Sequence, residues 1–159
     1  MATAPSPLRS EIGPLVARLA RVWRRALDQS LSACGLTEAS AQPLLILARA
    51  RGRCTRPGVI AQEMGIEGPS LVRLLDVLQE QRLIERSEDH TDRRARLIQL
   101  TPLGKTKAAQ ADRVLHRIRA ELLGDVADQD LATTLAVLRR IEQRADRLLN
   151  REVAAEDAG

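Results

Sequence analysis

The 159 residues include 25 Lys and Arg against 21 Asp and Glu, a formal net charge of +4, with 44% hydrophobic and 29% charged residues. That balance excludes a disordered chain, and no apolar run approaches the roughly 18 residues of a membrane span. Aromatic residues make up 1%, with Trp23 as the single tryptophan and no Tyr or Phe, which excludes an aromatic stacking platform or a base-flipping pocket.

The core must therefore be aliphatic, which favours helices. The opening segment, Met1 to Glu11, has no signal-peptide apolar stretch, so the expectation is a soluble, cytoplasmic, mostly helical protein of one domain, 1–159. Ile12, Leu15, Val16, Leu19, Val22, Trp23, Ala26, Leu27 and Leu31 recur at helical spacing and predict a helix over about 11–34, closed by Gly35. Thr37 is a candidate N-cap for a short second helix. Residue 40 is Ser rather than an acid or amide, so no capping box is expected.

Pro57-Gly58 breaks the chain before a third short helix, which Gly65 stops, and a fourth runs from Gly68 or Pro69 to Gln81 on a stripe of Leu71, Leu74, Leu75 and Leu78. Two short strands, 83–86 and 96–100, flank a polar loop. Thr101-Pro102 starts a long helix that Gly124 ends. A last helix from about Asp128 or Asp130 carries Leu131, Leu135, Leu138, Ile141, Ala145 and Leu148 on one seam, with a frayed tail from Glu152.

Residues 59–78 have the marks of a helix-turn-helix: Ala61 permits a close crossing, and Gly65 supplies the turn. A hairpin follows whose loop holds Asp92, Arg93 and Arg94, and from Arg93 to Lys107 there are five positive residues and no acid. A winged helix-turn-helix needs this layout, one helix in the major groove and a basic hairpin on the flanking backbone or minor groove. Asp92 is expected to orient Arg94 by a charge-assisted bond.

Residues 66–73 (IEGPSLVR), 83–86 (LIER), 92–96 (DRRAR) and 100–104 (LTPLG), with 17–24 and 35–37 upstream, together resemble the MarR family and its SlyA-like branch in particular. The resemblance implies a mainly α winged helix with a small β-hairpin. Dimerisation helices would lie at about 11–34 and 102–150 and a DNA-binding lobe at about 41–100. It also implies a homodimeric repressor on an inverted-repeat operator in double-stranded DNA. Pro69, Ser70 and Arg73 on the recognition helix and Asp92, Arg93 and Arg94 on the wing would make or support the contacts. SlyA-like proteins are similar in releasing DNA to a small aromatic carboxylate or phenolic ligand. The matching residues here are Arg18 and Arg21, with Trp23 nearby.

Two alternatives stay open: an architectural or counter-silencing DNA protein without ligand gating, and a redox regulator using Cys34 or Cys54. Neither cysteine has a resolving partner or metal-ligand spacing, and His90 and His116 stand alone, so no metal or other cofactor is expected. No phosphate loop, nucleophile elbow or positioned base marks an enzyme.

Overall fold

The computed structural model describes residues 6–50, 52–88 and 96–156. Two compact units divide the chain, 1–118 and 119–159.

In the first unit, α1 spans Pro7–Leu31 and passes through one short turn, Ser32–Cys34, to Gly35. Gly35 has φ 69°, the left-handed conformation that a residue without Cβ adopts freely. The helix begins four residues before the expected start because Pro7 suits the first helical position.

The second helix, α2, spans Glu38–Arg49 and does have a capping box. Ser40 N donates to Thr37 Oγ1 at 3.2 Å, and Thr37 N donates to Ser40 Oγ at 2.8 Å. The expectation that serine would not serve was wrong: its hydroxyl oxygen accepts from the cap amide as a carboxylate would. A further lock comes from Asp28 Oδ1, which accepts from Glu38 N at 2.6 Å and ties α1 to the start of α2.

Helices α3 (Pro57–Met64) and α4 (Gly68–Glu80) precede strands β1 (Ile84–Glu88) and β2 (Arg96–Leu100). The strands pair antiparallel with Ile84 opposite Leu100 and Glu88 opposite Arg96. Thr55 bridges the outer side of β2: its amide and carbonyl exchange hydrogen bonds with Ile98, each at 2.9 Å. The core joins Leu27 and Leu31 of α1 with Leu44, Ile60, Leu71, Leu75, Leu78, Ile84 and Ile98, all buried. Burying each such side chain stabilises by roughly 1.5–3 kcal/mol.

Helix α5 runs Pro102–Leu123, and its Ala108, Ala111 and Leu115 close that core. Thr101 caps it as expected: Gly104 N donates to Thr101 Oγ1 at 3.0 Å. In the second unit, α6 spans Asp128–Glu156, extending beyond the expected fraying point. Its seam residues Leu135, Leu138, Ile141 and Leu148 are all exposed. The same holds for Ile12, Leu15, Val16, Leu19 and Val22 along α1. Among the described residues no single helix is long and apolar enough to cross a membrane.

Candidate nucleic-acid interface

The α3–α4 corner is built by its turn. Gly65 adopts φ 64°, its amide donates to Gln62 O at 3.2 Å, and Ile66 N donates to Ala61 O at 3.1 Å. These two bonds satisfy carbonyls that the end of α3 would otherwise leave open. Pro69 lies in the first turn of α4, where its missing N–H removes a donor that has no partner in the helix anyway.

Periodicity then divides α4 into two faces. Leu71, Leu75 and Leu78 are buried against the core, while Pro69, Ser70, Val72, Arg73, Asp76 and Glu80 are exposed. Ser70 and Arg73 stand three residues apart, one turn along the outward face. Arg73 makes no ion pair among the described residues. An exposed guanidinium whose five donors are uncommitted suits guanine O6 and N7 or a phosphate.

The outward face is coupled to the hairpin. Arg86 on β1 donates to Asp76 Oδ1 of α4 at 2.6 Å, with the Arg86 side chain partly buried and Asp76 exposed. Sequence reasoning missed this pair. Strand alternation places Arg86 on one face of β1, but the partner ten residues upstream becomes visible only once α4 has packed. At the far end of the hairpin, Arg96 faces Glu88 at 3.4 Å with both side chains exposed, so the contact contributes little. Nearer the base, Gln99 Nε2 donates to Glu85 Oε1 at 2.7 Å across the strands. Asp92, Arg93 and Arg94 lie outside the described residues.

On α1, Arg18 and Arg21 are exposed and share a shallow groove with Glu11, Pro14 and Leu15. Trp23 does not join them; it is half-buried against the core. Cys54 is exposed, with its thiol directed at Gln99 Oε1 at 3.3 Å, and Cys34 is partly buried. No group of three or more His, Cys, Asp or Glu gathers among the described residues in a way that could hold a metal ion.

Residues 35–95 match the model of the MarR family. The transcriptional regulator PA3341 is 37% identical, covering 86% of this chain and 98% of its own, with a TM-score of 0.74. A mutant MarR from E. coli, crystallised with operator DNA, is 25% identical over 86% of this chain and 99% of its own, with a TM-score of 0.75. CouR from Rhodococcus jostii RHA1, bound to p-coumaroyl-CoA, is 26% identical over 86% of this chain and 95% of its own, with a TM-score of 0.74. With six α-helices and an antiparallel hairpin among its described residues, and a relative of this similarity along most of its length, the chain belongs to the MarR family of transcriptional regulators.

Proposed function

We propose that the protein is a homodimeric repressor of the SlyA-like type, working in the cytoplasm on an inverted-repeat operator and released by a small aromatic carboxylate. The observation that carries the DNA reading is the outward face of α4, where Ser70 and the uncommitted Arg73 follow Pro69 on a helix held rigidly by three buried leucines. Arg93 and Arg94, oriented by Asp92, would track the flanking backbone or minor groove. The relative crystallised with operator DNA supports the same use of the fold.

The apolar faces of α1 and α6 support dimerisation. Leu19 is 53% exposed and Leu138 is 40% exposed, each within a stripe of similar neighbours. Burying such stripes on a second copy returns roughly 25 cal/mol per Å² of apolar surface. The dimerisation helices would be those at about 11–34 and 102–150, and the lobe at 41–100 would read DNA. A two-fold dimer reads half-sites about one helical turn, roughly 34 Å, apart.

For the effector, Arg18 and Arg21 in the α1 groove supply guanidinium groups able to grip a carboxylate. A relative that holds a hydroxycinnamoyl thioester supports ligand gating in general.

The test measures binding to the DNA upstream of its own gene and to a scrambled duplex, across salt, with and without salicylate. Arg73→Ala should weaken specific binding by about 1–3 kcal/mol and leave thermal stability unchanged. Equal, steeply salt-dependent binding to both duplexes would refute sequence reading. Specific binding indifferent to salicylate would favour the architectural or cysteine-based alternatives.

A further inference from the structure

Two large apolar side chains stand on the solvent side of α4, Val72 at 51% exposed and Val77 at 45%. Neither belongs to the buried stripe of Leu71, Leu75 and Leu78, and neither packs against the core as Leu74 does. Local preference does not account for them either, since a β-branched residue is a weaker helix former than the Lys, Glu or Gln that usually fill exposed positions. Their places along the helix differ: Val72 lies in the N-terminal half beside Arg73, and Val77 lies in the last turn, beyond Asp76.

At about 100° per residue the outward face of α4 resolves into two strips. Pro69, Val72 and Asp76 follow one another along the first, and Ser70, Arg73 and Val77 along the second. The first strip borders the hairpin, because Arg86 of β1 holds Asp76. A helix that enters the major groove sets its N-terminal residues against the base edges. There Arg73 can span a guanine, while Val72 meets a neighbouring base pair with two methyl groups and neither donor nor acceptor. That groove offers one apolar substituent, the C5-methyl of thymine. Against the polar edge of any other base, the same valine would strip water from hydrogen-bonding groups and leave them without a partner.

We infer that Val72 is a specificity-determining residue whose side chain packs on the C5-methyl of a thymine next to the base pair that Arg73 contacts. The inference rests on the DNA reading proposed above and adds to it a second point of sequence discrimination, apolar where that of Arg73 is polar. Val77, behind the Asp76–Arg86 pair, takes no part. One methyl group withdrawn from such a contact corresponds to about a fourfold change in affinity.

The experiment begins with selection of a bound duplex from a random pool by the full wild-type chain. Each thymine of the selected half-site is then replaced in turn by deoxyuridine, which keeps every hydrogen-bonding group and removes only the methyl. Affinities of wild type, Val72→Ala and Val77→Ala for each duplex are measured by fluorescence anisotropy at one salt concentration, with helix content checked by circular dichroism. For the wild type one thymine should stand out, its deoxyuridine duplex binding about fourfold more weakly. Val72→Ala should lose about fourfold on the thymine duplex and nothing further on the deoxyuridine duplex. Val77→Ala should match the wild type on both.

The inference is overturned if no deoxyuridine weakens the wild type, if Val72→Ala keeps the full methyl effect, or if Val77→Ala removes it equally. A selection that enriches no sequence overturns the DNA reading itself. An enriched sequence that Arg73→Ala binds weakly and Val72→Ala binds as the wild type does overturns only the role of Val72.

Discussion

Replacing Gly104 by alanine should destabilise the protein, against the usual direction for a helical glycine. In α5 a glycine-to-alanine change ordinarily gains about 1 kcal/mol from helix propensity. Here the added Cβ would stand 1.9 Å from Leu83 O, 2.9 Å from Leu83 C and 3.3 Å from Leu100 Cδ2. The first of these falls short of ordinary contact by roughly 1.5 Å. The obstacle is backbone and has little freedom, because Leu83 O already accepts from Thr101 N at 3.1 Å and Thr101 Oγ1 at 3.3 Å. Relief requires α5 to lift from the start of the hairpin, breaking the junction that sets the hairpin's position.

Overpacking of this severity costs about 3 kcal/mol, the top of the usual range, and the propensity gain leaves a net loss near 2 kcal/mol. For a chain of this length that lowers Tm by roughly 4–8 °C. Calorimetry at matched protein concentration measures it, with Gly13→Ala as the control. Gly13 lies inside α1 with nothing within 4 Å of a new Cβ, so its substitution should be neutral or stabilising. A Gly104→Ala protein as stable as wild type would refute the close-approach argument.

Thr37→Ala removes the acceptor for Ser40 N and should lose about 1 kcal/mol in urea denaturation, with Ser40→Ala less than additive to it because the two hydroxyls form one box. Leu19→Glu and Leu138→Glu place charge on the exposed apolar faces of α1 and α6 and should convert a dimer to monomer in sedimentation velocity while helix content is retained. Arg94→Ala should lower the slope of log affinity against log salt by about one, without changing which duplex is preferred.

The elements that the sequence revealed are those governed by local rules. The leucine stripe of α4 appears at helical spacing, and Leu71, Leu75 and Leu78 are the buried side of that helix. Gly35 and Gly65 take the left-handed conformation that their position after a helix demands. Thr101 followed by Pro102 marks the start of α5 to the residue. The capping box at Thr37 was missed because the pattern sought was a residue type, whereas the interaction requires only an acceptor oxygen three residues on. The Asp76–Arg86 pair was illegible for another reason. It joins segments whose proximity is a product of packing, and residues 76 and 86 show nothing in common until α4 and β1 meet.

The hairpin is the element on which these features converge. Its β1 strand is tied to the outward face of α4 through Arg86 and Asp76, and its β2 strand is held on the other side by Thr55. Its base is fixed by the contact of Leu83 with Thr101 and Gly104. Loss of any one of these supports would therefore shift the hairpin relative to the outward face of α4.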